Sequence, residues 1–272
     1  MGAGDLGARA PAGRLDEIGD LAGSFNAMAG SLESSFRDLA AERDSLRRFV
    51  ADASHELRTP VTALSTFTEL LQGPAAGDEA ARSEFLEAGR LQLDKLRWIV
   101  ENLLDLSRLD AGIAALAIAP HDAGDLAAAA AAGHAPAAER RGIALSVRRP
   151  DPALTLACDR QRVELALSNL VANAVKFTPP GGRVEVSADE VPGAGIVRFS
   201  VRDDGPGIDA DEVPRIFERF FRGRAATADG AGLGLAIARS VARAHGGDIA
   251  VESAPGTGSL FRLDLPSVQP AP

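Results

Sequence analysis

A histidine and a glutamate are neighbours in the hexapeptide His55-Glu56-Leu57-Arg58-Thr59-Pro60. An unprotonated imidazole nitrogen is a nucleophile near neutral pH, and an adjacent carboxylate can hold or accept the proton of the other ring nitrogen. The proline removes a backbone donor and can kink a helix just after the histidine. The hexapeptide therefore predicts a nucleophilic histidine on a helix.

Three polar residues farther along the chain, Asn169, Asn173 and Lys176, are spaced by four and then three positions. That spacing places them on one face of a helix. A neutral amide oxygen can ligate Mg²⁺ without competing with phosphate for charge, and a lysine offers positive charge to phosphate oxygens. A polar stripe on a surface helix is an equally good interpretation of this segment taken alone.

Two glycine motifs follow, Asp203-Asp204-Gly205-Pro206-Gly207 and Gly230-Ala231-Gly232-Leu233-Gly234. A carboxylate at a strand end can accept a hydrogen bond from an exocyclic amine such as that of adenine, although a simple turn is the alternative. The second motif opens a helix, where backbone amides favour phosphate. It is not a Walker loop, because no Lys-Ser/Thr follows, and no strand leads directly into it as in a dinucleotide site. Between the motifs, the aromatics of 215–222 either pack under a mobile cover or form the core face of a plain helix.

The elements that position these groups begin with a long apolar seam. Apolar residues recur along this segment in two rows. The second row begins with Leu21 and Met28 and then shifts to the neighbouring heptad position, with Phe36, Val50 and later residues. A lone helix cannot bury such a seam, so the pattern predicts a dimeric coiled coil or bundle in which His55 faces outward. Counting from Ile18, the first row continues through Phe25, Leu32, Leu39, Leu46 and Ala53.

A second amphipathic helix is predicted from about residue 80 to 110, so two hairpins would make a four-helix dimer. After a linker over 111–121, the pattern predicts helices and mostly antiparallel strands, which together suggest a two-layer α/β sandwich. The expected fold class is therefore α+β. The predicted helices are 125–141, 160–177 and 232–244, and the predicted strands are 143–149, 154–157, 183–188, 196–201, 248–252 and 259–265.

Composition narrows the choice of function. The 272 residues carry a net charge of −9, which argues against nucleic-acid binding. Cys158 is the only cysteine, so no intramolecular disulfide can form, which favours a cytosolic face; we expect it to be a small buried hydrophobe. The four histidines show no metal-ligand spacing. No signal peptide and no apolar run long enough to span a membrane is visible, so we expect the chain as given to be soluble.

Six segments in order resemble the boxes of sensor histidine kinases. Residues 49–60 resemble the phosphoacceptor box and 169–179 the N box; 203–207, 217–221, 230–235 and 256–258 resemble the G1, F, G2 and G3 boxes. Residues 16–28 are similar to the second half of a HAMP signal-relay module, and such modules normally follow a transmembrane helix. The segment 223–229, between the F and G2 boxes, is short for the family.

The resemblance implies a partial HAMP helix over 1–40, a dimerisation and histidine-phosphotransfer hairpin over 41–112, a Bergerat-type ATP-binding domain over 120–268, and a tail over 269–272. It implies that His55 is phosphorylated by ATP with the help of Glu56, and that Thr59 positions water for dephosphorylating a regulator. Asn173 would ligate Mg²⁺, and Asp203 would recognise adenine. The other implied nucleotide-binding residues are Asn169, Lys176, Gly205, Gly207, Phe217, Gly230, Gly232, Leu233, Gly234 and Thr257.

The implied partners are a second copy, through residues 18–110, and a response regulator acting in trans. No nucleic acid is expected, and a membrane would be reached only through a missing N-terminal segment, on its cytoplasmic face. Two alternatives remain. One is a non-catalytic dimeric relay that only binds nucleotide. The other is a Bergerat-fold ATPase or serine kinase, for which Glu164 precedes Asn169 by five residues instead of standing in line with it.

Overall fold

The computed structural model describes residues 9, 17–73, 77–110, 115–224 and 230–267. Most of the predicted HAMP segment before residue 17, the greater part of the segment 223–229, and the tail 269–272 therefore lie outside the described residues. The chain divides into two compact units between Arg58 and Thr59.

The first helix, α1 (Glu17–Gln72), continues through Pro60. Proline donates no hydrogen bond, so the Glu56 carbonyl lacks its usual helical partner at that point. The seam residues Leu32, Leu39 and Leu46 are 42%, 61% and 59% exposed. Apolar side chains left this open in one chain are compatible with the predicted seam between two copies.

The second helix, α2 (Glu79–Asp110), begins after Asp78, whose Oδ1 accepts hydrogen bonds from the backbone N–H groups of Ala80 and Ala81. The end of α1 packs on the start of α2 through the stacked rings of Phe67 and Phe85, with centroids 5.9 Å apart. The predicted helical hairpin is thus confirmed.

The rest of the chain forms a mixed sheet with helices on one side. Five strands lie in the order β2-β4-β5-β7-β6; β2 and β4 are parallel and the other neighbours antiparallel, while β1 and β3 form a separate antiparallel pair. The elements are β1 Ala119–Asp122, α3 Ala123–Ala132, α4 Ala135–Arg140, β2 Ala144–Arg148, β3 Thr155–Cys158, α5 Arg160–Phe177, β4 Arg183–Val191, β5 Ile196–Asp203, α6 Gly234–Ala244, β6 Asp248–Ser253 and β7 Ser259–Pro266.

The alternation of β5 explains how the sheet carries a site. Val197, Phe199 and Val201 are fully buried on one face, whereas Arg198 on the other face is ion-paired with Asp264 of β7. Asp203 ends the strand on the buried side. The side-chain period of two therefore brings a carboxylate to the rim of the helix-covered face. This arrangement is the predicted two-layer sandwich.

A buried histidine joins two of the helices. His245, at the C-cap of α6, has no solvent exposure, and its Nε2 accepts the backbone N–H of Asp159 at 3.1 Å. Its Nδ1 donates to the Val241 carbonyl at 2.8 Å, which fixes the neutral tautomer. Asp159 also caps α5 by accepting the Arg162 N–H, so the starting point of α5 is held against the end of α6.

Four expectations about the elements need correction. The predicted helix 125–141 is two helices, because the chain breaks at Gly133 and restarts with Pro136 in the first turn of α4. The predicted linker 111–121 contains most of β1, which lacks an alternating pattern. Helix α6 begins at Gly234, two residues later than predicted. Residues 210–217 form turns, so the plain-helix alternative for 215–222 is wrong.

The prediction for Cys158 is confirmed, since the residue is buried and burial raises the pKa of its thiol to about 11. Among the described residues, no helix is both long and apolar enough to cross a membrane.

Candidate active site

His55 lies on α1 with an exposed side chain, and Glu56 beside it is half-buried. Thr59, one turn farther on, is also exposed, whereas Pro60 is buried. Within one chain the imidazole therefore faces outward, as the seam predicts. The side chains of His55 and Glu56 both stand on one α-helix, which restricts their geometry relative to each other.

The polar stripe of α5 lines a cavity of about 400 Å³. The opposite stripe of α5 is buried against the core, so Asn169, Asn173 and Lys176 are left half-exposed toward the cavity. The Asn169 Nδ2 donates to the Leu165 carbonyl at 3.0 Å, which orients its amide oxygen outward. The Lys176 ammonium lies 5.1 Å from the ring centroid of Phe177.

Asp203 enters the same cavity from the end of β5. It is 6% exposed, and its Oδ1 accepts the Gly205 N–H at 2.8 Å. Burial raises the pKa of this carboxyl, while hydrogen bonds from the backbone of Gly205 and Ser259 work in the opposite direction. A buried carboxylate with one oxygen committed to a backbone N–H can use the other to accept from a ligand amine.

The second glycine motif closes the other side of the cavity. A Cβ on Gly230 would come 3.1 Å from the Lys176 Nζ, and a Cβ on Gly234 would come 2.9 Å from the Asn169 Oδ1. Gly232 has a φ of +67° and its carbonyl accepts the Phe220 N–H at 2.9 Å. Phe220 itself has a φ of 61°, an uncommon value for a bulky residue. The glycines thus let the loop lie directly on the polar groups of α5.

The structure brings together most of the predicted nucleotide-binding residues, but not all. The cavity is lined by Asn169, Asn173, Lys176, Asp203, Gly207, Gly230, Gly232, Leu233 and Gly234. Gly205 stands just behind it, bonded to Asp203. Phe217 lies instead in a second hollow, under the Arg239 guanidinium at 4.8 Å. Thr257 is exposed in a turn, where its hydroxyl donates to the Ala254 carbonyl.

Several lining residues were missed by sequence reasoning. The apolar ones come from the turn after the first glycine motif, from the 215–222 segment and from β7: Ile208, Ile216 and Phe261. Phe221, one of the aromatics already singled out in 215–222, lines the cavity too. Their positions beside the motifs were a usable signal. Trp98 of α2 also lines the cavity, and no motif pointed to it.

The donor set suits a magnesium nucleotide. Among the described residues, no group of three or more His, Cys, Asp or Glu side chains could hold a metal by itself. The Asn173 side chain lines the cavity, and its amide oxygen could serve as a neutral ligand that would leave the remaining positions of Mg²⁺ to phosphate oxygens and water. Apolar walls with a few polar groups are also what a purine-binding cavity requires.

Comparison with known proteins agrees with this geometry. Three family models match: the HAMP domain over residues 1–34, the His Kinase A (phospho-acceptor) domain over 45–112, and the histidine kinase-, DNA gyrase B- and HSP90-like ATPase domain over 158–269. The chain is 37% identical over 284 residues to the signal transduction histidine-protein kinase AfsQ2 of Streptomyces coelicolor, covering 100% of this chain and 51% of that protein. The chain belongs to the sensor histidine kinase family.

Two further likenesses support the family assignment. The sensor histidine kinase MtrB of Mycolicibacterium paratuberculosis is 36% identical over 270 residues, covering 98% of this chain and 47% of that protein. The crystal structure of full-length ShkA in complex with AMPPNP superposes with a TM-score of 0.62 and 33% identity, covering 83% of this chain and 47% of ShkA. The chain thus spans about half the length of the curated relatives it matches. The phosphoacceptor match includes His55, and the ATPase match includes every lining residue except Trp98.

Proposed function

We propose that this chain is an ATP-dependent protein-histidine kinase that phosphorylates His55. One observation carries the proposal: Asn173, Lys176 and Asp203, from separate parts of the sequence, line a single cavity in a chain whose phosphoacceptor segment exposes His55. ShkA, at 33% identity, is known with the ATP analogue AMPPNP bound. Adenine would be recognised by Asp203, and the phosphates by Asn169, Lys176 and the glycine loop.

In the proposed reaction an unprotonated ring nitrogen of His55 attacks the γ-phosphorus of ATP. A nitrogen–phosphorus bond forms, the bond to the β–γ bridging oxygen breaks, and ADP leaves. Glu56 hydrogen-bonds to or accepts the proton of the other ring nitrogen, which raises the nucleophilicity of the attacking nitrogen. Lys176 offsets negative charge on the phosphates. Mg²⁺, held by Asn173, would supply further charge neutralisation.

The phosphoryl group would then pass to an aspartate on a response regulator, a separate protein. Dimerisation through residues 18–110 would bury the exposed seam of α1. We propose that the chain lies on the cytoplasmic side of a membrane. Its full-length form would reach that membrane through a transmembrane segment ahead of the HAMP module, because such modules normally follow one.

The function is tested by incubating the chain with γ-labelled ATP and Mg²⁺. We expect protein-bound label that is stable to base and lost in acid, and its absence in His55→Gln. His121→Gln changes another partly exposed histidine and should label normally. Equal labelling of His55→Gln and the unaltered chain would refute the assignment.

The labelling assay, run together with an ADP titration, separates a histidine kinase from a non-catalytic relay and from an ATPase. ADP binding without any labelling would indicate a non-catalytic relay. Phosphate release without phosphohistidine would indicate an ATPase. Against an ATPase, Glu164 lies outside the cavity lining and forms an ion pair with Arg160 at 2.8 Å, so its carboxylate is not placed to activate water at the nucleotide.

A second activity, dephosphorylation of the regulator, is assigned to Thr59. Its exposed hydroxyl lies one turn after His55, where it can orient water toward a bound aspartyl phosphate. Thr59→Ala should lower the phosphatase rate about 100-fold, within the range for removing a positioned polar group, and leave autophosphorylation intact. Thr62→Ala, an exposed threonine nearby on the same helix, is the matched control. Equal phosphatase rates for the two variants would contradict the role.

A further inference from the structure

One wall of the nucleotide cavity comes from the helical hairpin. Trp98 of α2 lines it together with Asn169, Asn173 and Gly232. Trp98 is 38% exposed, a large fraction for a residue type that is highly buried on average. A partly open aromatic ring at the edge of a cavity is placed to cover a ligand that the cavity holds.

The position of Trp98 is set by a whole face of α2. Asn102, Asp105 and Leu109 follow it at spacings of four, three and four, which is one stripe of a helix. Asn102 is buried and its Nδ2 donates to the Trp98 carbonyl at 2.7 Å. Asp105 forms an ion pair with Arg162 of α5 at 3.1 Å. Leu109 is buried beside Arg239 and Arg243 of α6.

The Asp105–Arg162 ion pair also indicates which end of the cavity Trp98 occupies. Seven positions separate Trp98 from Asp105, and seven separate Arg162 from Asn169. Equal helix lengths, about 10 Å each at the usual rise, therefore lead from the ion pair to the cavity on both helices. Because Trp98 and Asn169 line the same cavity, we infer that Trp98 lies at the end where the glycine loop meets α5.

We propose that Trp98 is a nucleotide-binding residue contributed by the hairpin, and that it packs against the ribose–phosphate part of a bound adenine nucleotide. The inference rests on the proposed function. It follows that nucleotide binding and the packing of α2 are coupled. Bound nucleotide stabilises the contact of α2 with the ATP-binding domain, and that contact stabilises the bound nucleotide. Such coupling is reciprocal by thermodynamic necessity.

The coupling has a functional meaning, because Trp98, Asp105 and Leu109 belong to the helix that follows the phosphoacceptor helix. Any rearrangement of the hairpin that lifts α2 from α5 and α6 removes one wall of the nucleotide site. Nucleotide affinity then becomes a readout of hairpin packing, without a change in the residues that bind adenine or metal.

The chain supplies its own probe for the test. It has one tryptophan and no tyrosine, so emission excited at the red edge of the absorption band comes from Trp98 alone. Titration of the whole chain with Mg²⁺ and ADP, which cannot phosphorylate it, should change this emission saturably. The midpoint should equal the ADP dissociation constant from calorimetry. ADP binding with unchanged emission would overturn the inference and leave the proposed function standing, whereas no ADP binding would refute the proposed function itself.

Substitution gives the second measurement. Trp98→Ala should weaken ADP binding about two- to tenfold, the range for losing one aromatic packing contact. Trp98→Phe should keep most of the affinity. Arg97→Ala, an exposed neighbour ion-paired to Glu101, is the control and should bind normally. Tighter binding by Trp98→Ala would mean that the indole obstructs the site and would overturn the inference, as would unchanged binding.

A double-mutant cycle separates ligand contact from simple support of the fold. Asp105→Asn weakens the ion pair to Arg162 without altering a cavity residue. It should lower ADP affinity in the unaltered chain but not in the Trp98→Ala background. Without the indole, the α2 face no longer contacts the nucleotide, so loosening that face cannot change the affinity. Equal losses in both backgrounds would show that α2 acts only through stability, contrary to the proposal.

Discussion

The two ends of the nucleotide cavity differ in what their glycines touch. At the Asp203 end, a Cβ on Gly207 would meet the Ala254 carbonyl oxygen at 1.9 Å, and one on Gly258 would meet the Asp203 carbonyl oxygen at 1.9 Å. At the α6 end, a Cβ on Gly232 would meet the Phe220 backbone at 2.7 Å, but one on Gly230 or Gly234 would meet a side-chain tip, the Lys176 Nζ or the Asn169 Oδ1. Backbone atoms cannot move aside, whereas flexible side chains can rotate.

Hydrogen bonds add to the same contrast. The Gly256 N–H donates to the Pro206 carbonyl at 2.7 Å, and the Ser253 hydroxyl donates to the Gly258 carbonyl at 2.8 Å. At the α6 end, Gly232 is the point of attachment, through Phe220. We infer that the end assigned to adenine is built before ligand arrives, while the end assigned to phosphate adjusts around it.

The largest effect should come from adding a methyl group at the rigid end. Gly258→Ala must accommodate both a φ of +78° and a clash with the backbone of Asp203. Strained φ costs about 1–3 kcal/mol by itself, so we expect the free energy of unfolding to fall by about 3 kcal/mol or more and ADP binding to be lost. Thermal and denaturant unfolding measure it.

Gly256→Ala is the matched control for that change. Its φ is also +78°, but a Cβ there would meet nothing within 4 Å. Any difference in the free energy of unfolding between Gly258→Ala and Gly256→Ala therefore reports the clash with the Asp203 backbone. If both melt alike, the Asp203 end is no more rigid than an ordinary turn, and the contrast drawn between the two ends is wrong.

The next effect concerns recognition without loss of fold. Asp203→Asn should weaken ADP binding at least about tenfold, since a charge-assisted hydrogen bond is lost. The variant should melt no lower than the unaltered chain. Burial raises the pKa of Asp203, so the charged carboxylate costs stability in the folded state at neutral pH. Calorimetric titration and melting curves give both quantities.

Asp204→Asn controls for charge. Asp204 is exposed, and its Oδ2 accepts the Arg183 N–H at 3.1 Å outside the cavity lining. It should bind ADP normally. A tenfold loss in both variants would point to long-range charge instead of a specific contact at Asp203.

The sequence was informative wherever periodicity and local chemistry acted together. Asp203 was predicted at the end of a strand, and the spacing on α5 predicted Asn169, Asn173 and Lys176 on one stripe. It failed where position depends on packing between distant segments. Nothing local to Trp98 indicates that α2 lies against α5 and α6. Those contacts are made by the Asp105–Arg162 ion pair and by Leu109 beside α6.

Phe217 shows a different limit. Its motif predicted a nucleotide contact, yet its ring lies under the Arg239 guanidinium, and Arg239 is itself paired with Asp248 at 2.8 Å. The guanidinium over its face already gives this ring a favourable cation–π contact when no ligand is bound. The segment around it folds as turns, whose course cannot be obtained from helical periods.

A smaller effect is expected at the adaptable end. Gly234→Ala starts α6 with a favourable residue, and its methyl group would meet the Asn169 side chain, whose amide oxygen is nearest at 2.9 Å. We expect stability to change by less than about 1 kcal/mol and ADP affinity to fall a few-fold, as Asn169 rotates away. Gly234→Ala in an Asn169→Ala background should have no further effect on affinity. A large loss of stability would mean that this end is as rigid as the other.

The smallest effect should be at Thr257, predicted from sequence as a nucleotide-binding residue. Its hydroxyl donates to the Ala254 carbonyl at 2.9 Å in the turn that packs on Gly207, and it does not line the cavity. Thr257→Ala removes one exposed hydrogen bond, so the free energy of unfolding should fall by about 0.5–1 kcal/mol with ADP affinity unchanged within twofold. Thr257→Ser keeps the hydroxyl and should restore the stability. If ADP affinity falls in Thr257→Ala and Thr257→Ser restores it, the bound nucleotide reaches past the Asp203 end to this turn. The Asp203 end must then open to admit nucleotide and is not fully formed beforehand.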